Sequence, residues 1–160
     1  MSVIALLTAI KAESVPTCTA LVLSGGASRG AWEAGVLWGL THYGDPNNFK
    51  YDVVTGVSAG SINAIVLAGW PIGQEKEFTE TLTDLWRNLK NENVWKKWAS
   101  EIIEGFFIKR GLLDDSPLLP FLNNTIMTNF TDYARPITIA AAEVNTGDYF
   151  IFNQTNVPYN

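Results

Sequence analysis

The chain has 160 residues, 47% hydrophobic and 17% charged, with a formal net charge of −5. That length holds one domain with a real core and falls short of two, and the composition excludes a disordered chain. It also excludes a nucleic-acid binder, because no basic run exceeds Lys96-Lys97 or Lys109-Arg110; the same acidity gives no long-range attraction to anionic membranes, so any transient contact with a membrane interface must come from apolar and aromatic surface.

The apolar run Val3-Ile4-Ala5-Leu6-Leu7-Thr8-Ala9-Ile10 is too short to span a bilayer and fits the core of a secretory signal over residues 1–14. No Lys or Arg precedes it, and a first strand or a frayed terminus is the alternative. Sequons at Asn123, Asn129 and Asn153 favour export and make these glycosylation candidates. The expectation is therefore a secreted or secretory-pathway protein, otherwise a cytoplasmic or peripheral membrane one. Cys18 is the only cysteine, which excludes an intrachain disulfide and a cysteine zinc cluster. It reads as a small buried hydrophobe, with a partner cysteine outside this sequence as the alternative.

Thr19 to Leu23 reads as a buried strand stopped by Gly25-Gly26. A helix follows from Arg29, with Trp32, Val36 and Leu40 at four-residue spacing and small residues between them. Gly44 to Asn48 is a loop by composition, and Tyr51 to Thr55 a second strand. Ser61 to Ala68 reads as a buried helix closed by Gly69 and Pro71. An amphipathic helix over residues 75–89 places Phe78, Leu82, Leu85, Trp86 and Leu89 on one face. Trp95, Trp98, Ile102, Ile103, Phe106 and Phe107 form another apolar stripe, read as helix core, a lipid-docking surface or the wall of an acyl groove. Trp70, in a loop beside Pro71, is a further candidate anchor. A short helix within 118–127, a strand over 136–143, a turn at 145–148 and a strand over 149–152 complete the order. Strands alternating with helices predict an α/β fold of three layers, α/β/α, around a mainly parallel sheet. Right-handed crossovers put the loops after the first two strands at its carboxyl edge.

Those two loops carry the chemistry. Gly56-Val57-Ser58-Ala59-Gly60 joins the second strand to its helix. A Gly-x-Ser-x-Gly turn in that context exposes a nucleophilic serine while its glycines let strand and helix pass closely. A plain tight turn with an incidental serine is the competing reading. Ser24-Gly25-Gly26-Ala27-Ser28-Arg29-Gly30 lacks the Gly-Lys-Ser/Thr ending of a nucleotide loop and the Gly-x-Gly-x-x-Gly spacing of a dinucleotide fold. Free N–H groups of Gly25, Gly26 and Ala27 at a helix start suit an oxyanion instead. Arg29 braces that loop, binds an anionic headgroup, or is simply a solvated first-turn charge. The single histidine, His42, precedes Ser58, opposite to the order of an α/β-hydrolase triad. An aspartate acting directly on the serine is the economical base.

Leu23 to Leu37 and Gly56 to Ala64, in this order and spacing, resemble the patatin-like phospholipase family, with the Ile137 to Glu143 strand and the Thr146-Gly147 turn also similar to a family segment. The resemblance covers residues 19–160. It implies a lipid acyl hydrolase with Ser58 as nucleophile and Gly25, Gly26 and Ala27 as oxyanion hole. Arg29, Gly30, Gly56 and Gly60 would support the loops, and a lipid or phospholipid would be the substrate. No cofactor and no metal are implied, and oligomeric state is left open. Two departures stand out. Ala27 occupies the place of the family's third glycine. The family's catalytic aspartate lies in an Asp-Gly-Gly or Asp-Gly-Ala loop, and no Asp-Gly pair occurs in this chain. The expectation is an amino-terminal portion of the domain, its base segment missing. The alternatives are a catalytically inactive fragment that at most binds lipid, and a serine esterase using His42 as base.

Overall fold

The computed structural model describes residues 17–98, 113–127 and 132–156. Residues 1–14, read above as a signal, and Ile102, Ile103, Phe106, Phe107 and Asn129 lie outside them.

Four strands, β1 (Ala20–Leu23), β2 (Val53–Val57), β3 (Ile137–Ala142) and β4 (Tyr149–Asn153), form one sheet in the order β1-β2-β3-β4. β1, β2 and β3 are parallel and β4 is antiparallel to β3. The α/β class and mainly parallel sheet are those expected from the order of elements. The turn between β3 and β4 is short because Glu143 closes it, its carboxylate accepting hydrogen bonds from the Thr146 N–H and the Asn145 amide.

Three long helices, α1 (Gly30–Tyr43), α2 (Ala59–Gly69) and α3 (Glu75–Asn88), pack on one another, and α2 lies against β1, β2 and β3. Registers Leu21↔Val54↔Ile137 and Leu23↔Gly56↔Ile139 put these residues on the sheet face that meets α2. There Leu23, Val54 and Ile137 join Ala64, Leu67, Phe78 and Leu82 in one core. The alternate residues Val22 and Val57, on the opposite face, are exposed among the described residues. Short helices α4 (Asn91–Val94) and α5 (Leu118–Leu122) follow, α5 running into a π-helical turn, Asn123–Met127.

Three local readings change. β2 starts at Val53 rather than Tyr51, because Asp52 is spent outside the sheet ladder: its carboxylate accepts the Thr19 N–H. Cys18 is exposed, since it lies before β1 begins. Trp70 is half-buried against the core and its carbonyl accepts a hydrogen bond from Arg135, so its ring packs in part on the protein rather than standing free in a loop.

Arg135 closes the amino edge of the sheet. It is buried, pairs with buried Glu75 at 3.0 Å, and also donates to the carbonyls of Tyr51 and Trp70. One side chain thus ties the start of β2, the end of α2, the start of α3 and the approach to β3. Replacing Arg135 by Ala leaves Glu75 buried and unpaired, so urea unfolding should show a loss of about 3–5 kcal/mol. Burial, and then the Glu75 charge, pushes the Tyr51 phenol above its ordinary value of 10.0. A raised folded pKa gives stability that is complete below the unfolded value and lost as pH rises through the folded one. The urea midpoint of the native chain should therefore fall more steeply above about pH 10 than that of Tyr51→Phe.

Candidate active site

β2 delivers the chain to Ser58 at the carboxyl edge of the sheet, and α2 begins at the next residue. Ser58 has φ 54° and ψ −122°, a region L-residues rarely occupy. Holding it there costs on the order of 1–3 kcal/mol. Two glycines make the turn possible. A Cβ on Gly56 would stand 2.3 Å from the Gly60 carbonyl oxygen, and one on Gly60 would stand 2.6 Å from the carbonyl oxygens of Leu23 and Ser24. Strand, helix and the first loop therefore meet backbone to backbone. Ser58 occupies the N-cap position of α2, where a serine hydroxyl commonly accepts a helix N–H. Here its side chain makes no capping bond, and the residue is exposed.

The glycine-rich loop lies against this turn. A Cβ built on Gly25 would be 3.1 Å from the Ser58 Cβ and 3.8 Å from its Oγ. The two sequence motifs, separated by a helix and a strand, are thus neighbours in space. Gly26 and Arg29 close a tight turn, Arg29 N–H donating to the Gly26 carbonyl at 3.0 Å. Among the described residues, the N–H groups of Gly25, Gly26 and Ala27 donate to no other backbone or side-chain group. Ala27 has φ 50°, so its Cβ sits where glycine is preferred, a strain of about 1 kcal/mol. Arg29 is exposed, and its side chain packs along Gly26. Gly30 is buried because the Trp86 ring and Ala59 fill the space a side chain would need.

A polar network centred on one buried side chain joins the two loops. Glu33, on α1, accepts the Ser24 N–H at 2.9 Å through one carboxylate oxygen and the Asn63 amide at 3.0 Å through the other. Asn63, fully buried on α2, also donates to the Gly30 carbonyl and accepts from the Trp86 indole N–H at 2.7 Å. One amide thus links the first loop, the helix after Ser58 and α3, and every polar atom of that amide has a partner. Sequence reasoning did not single out Glu33, Asn63 or Trp86 as site residues. Each lies within a helix read from its apolar or small neighbours. The signal that could have found them was that buried asparagine position, which demands partners.

Other candidates lie elsewhere. His42 sits near the far end of α1 from Gly30, about 18 Å along the axis at 1.5 Å per residue. Its ring stacks on Trp38 and its nitrogens face the Trp38 carbonyl and Glu80. The described aspartates are engaged elsewhere or exposed: Asp45 caps a turn, Asp52 accepts the Thr19 N–H, Asp84 pairs with Arg87, and Asp114 pairs with Lys96. Asp132 accepts the Tyr133 N–H, and Asp115 and Asp148 are exposed. Among the described residues no hydrogen bond reaches the Ser58 hydroxyl, and no cluster of three or more metal-ligating side chains occurs. A cavity of about 310 Å³ lies between α2, α3 and α5, lined by Val66, Trp70, Leu85 and Phe121, and does not include Ser58. Asn123 is exposed, and Asn153 is half-buried with its side-chain carbonyl oxygen accepting from Thr155 and Asn156.

A strand-to-helix serine elbow with a glycine loop beside it, on a mainly parallel α/β sheet, is the arrangement of a serine hydrolase fold. A family model described as patatin-like phospholipase matches residues 21–158, and the chain belongs to this family of lipid hydrolases. It is similar to proteins named lysophospholipase NTE1 from Lodderomyces elongisporus and Debaryomyces hansenii, at 29% identity over 131 residues, and from Scheffersomyces stipitis, at 28%. Each match covers 69% of this chain and 8% of the relative's length. No solved structure matches.

The geometry sets two expectations for the fold around the elbow. Gly60→Ala should lose about 3 kcal/mol or more in thermal or urea unfolding, since the new methyl meets rigid backbone on the other loop. Asn63→Leu leaves the Trp86 N–H and a Glu33 oxygen unpaired, so a loss of about 2–4 kcal/mol is expected in the same measurement.

Proposed function

We propose that this chain carries the nucleophile and the oxyanion-binding half of a lipid acyl-ester hydrolase. The observation that carries this is the placement of Gly25 against Ser58 across the carboxyl edge of the sheet, with the serine strained, exposed and free of any capping duty. In this reading Ser58 Oγ attacks the ester carbonyl carbon and its proton passes to a carboxylate base. The carbonyl oxygen takes the negative charge. The Gly25, Gly26 and Ala27 N–H groups receive that oxyanion, each donor contributing about 3 kcal/mol to the transition state. The start of α2 adds its positive dipole end at the same place. Collapse of the intermediate breaks the acyl C–O bond, and the leaving alcohol takes the proton. Water then attacks the acyl-serine, giving a proton to the base; the acyl C–Oγ bond breaks, Ser58 Oγ takes that proton back, and the free fatty acid departs.

The base belongs to the family's Asp-Gly-Gly or Asp-Gly-Ala loop, a sequence that these 160 residues do not contain. The matched relatives run well beyond the aligned segment. Their printed name makes a lysophospholipid the first substrate to try. A second reading, an inert fragment that at most binds lipid, is favoured by one observation: none of the described carboxylates or His42 is seen to bond Ser58.

The test is covalent labelling with a fluorophosphonate ester, together with release of nitrophenol from a short-chain nitrophenyl ester. Labelling or a burst that disappears in Ser58→Ala and survives in His42→Ala supports the hydrolase reading. No labelling in a folded chain supports the inert fragment, and loss of activity in folded His42→Ala restores histidine as base. Gly25→Val, which presses a branched side chain toward the Ser58 Oγ, should reduce labelling by at least roughly tenfold.

A further inference from the structure

α1 presents an apolar face that none of the described elements covers. Trp32, Val36, Leu40 and Tyr43 recur at helical spacing on the side opposite Ala34, Leu37 and Thr41, which are buried. Their exposures are 72%, 39%, 39% and 84%. Gly35 and Gly39 lie between them, and a Cβ on either would meet nothing within 4 Å. Contiguous exposed apolar surface of this kind marks an interaction site.

The charges on α1 say what partner fits. The helix carries one carboxylate and one imidazole, and both are engaged by protein groups rather than standing on the stripe: Glu33 bonds Ser24 and Asn63, and His42 bonds the Trp38 carbonyl and faces Glu80 of α3. The outward face is thus uncharged along its length, on a chain whose net charge is −5. An anionic surface would be repelled by the chain, and a basic protein partner would find no carboxylate on the face to pair with. The stripe also begins within one helical turn of the loop that stands against Ser58, where exposed Arg29 is the nearest cation in sequence. We infer that this face of α1 docks on an electrically neutral phospholipid surface, with Trp32 and Tyr43 seated at the headgroup level where amphipathic rings are favoured. The docked helix brings the Gly25–Ser58 edge toward the source of its substrate. The choice of a lipid partner rests on the hydrolase reading above, but the binding step needs no chemistry at Ser58.

The experiment uses the full chain carrying Ser58→Ala and flotation with phosphatidylcholine vesicles. Binding is expected, and Trp32→Ala with Leu40→Ala should weaken the partition coefficient by roughly tenfold or more. Replacing part of the lipid by phosphatidylserine should not strengthen binding, nor should about 0.5 M salt abolish it, as both would for a basic electrostatic anchor. Circular dichroism of the double variant checks the fold, and Val36→Lys supplies an independent charged disruption of the same face. Absence of flotation, or flotation indifferent to both variants, overturns the inference. Dimers in sedimentation that dissociate on Trp32→Ala, without vesicle capture, assign the face to a second copy and also overturn it. Vesicle binding through α1 in a chain that fluorophosphonate cannot label would leave this surface standing while the hydrolase reading falls.

Discussion

The backbone contact between β2 and α2 at Gly56 and Gly60 is the constraint on which the site depends. The strand must reverse into a helix within a few residues, and the helix start must also pass the end of β1. Side chains at these glycines would stand within 2.3–2.6 Å of backbone atoms, which no rotamer can relieve. The close approach leaves Ser58 as the residue that absorbs the turn, in a strained conformation with its hydroxyl outside the helix cap. Exposure and strain of the serine are thus consequences of one steric requirement.

The second determinant is the polar bridge from Ser24 through Glu33 and Asn63 to Trp86. Its anchor is the fully buried Asn63 amide, whose bonds hold one arrangement because breaking them leaves a desolvated atom without a partner. Here they hold the glycine loop, the elbow helix and α3 in a common frame. The arrangement also explains why Gly30 tolerates no side chain, with the Trp86 ring occupying that volume to reach Asn63. At the opposite edge Arg135 plays a corresponding part, drawing four segments together around one guanidinium. Polar bridges anchored on a buried Asn63 at one edge and a buried Arg135–Glu75 pair at the other thus flank the apolar core of Val54, Leu67, Phe78 and Leu82.

The unsatisfied surfaces are as informative as the satisfied ones. The α1 stripe and the outer face of β1 expose large apolar side chains. A helix as apolar on its outer side as on its inner one does not follow the amphipathic pattern of α3, which has polar residues outside. That contrast within one domain separates a helix that ends at water from one suited to a further surface.

Much of the fold and the two loops were legible in residue order alone. The glycine punctuation, the aliphatic runs of β1 and β2 and the order of strands and helices required a mainly parallel sheet with both loops at one edge. Ala27, noted as standing where the family has a glycine, does take a positive φ. His42 was correctly set apart from Ser58 by chain order. Burial of Cys18 was misjudged, because a cysteine's usual environment says nothing of whether the strand has yet begun. The partial packing of Trp70 on the core was hidden for a related reason: the Arg135 that ties its carbonyl lies far along the chain. By itself the sequence determined which residue types the chemistry would have and how the backbone would turn to present them, since these depend on local sterics and short-range periodicity. Only the tertiary structure decided that Gly25 stands against Ser58, that Asn63 gathers Glu33 and Trp86, and that Arg135 finds Glu75. Those contacts join residues far apart in the chain, and no local pattern encodes which distant group will satisfy a buried one.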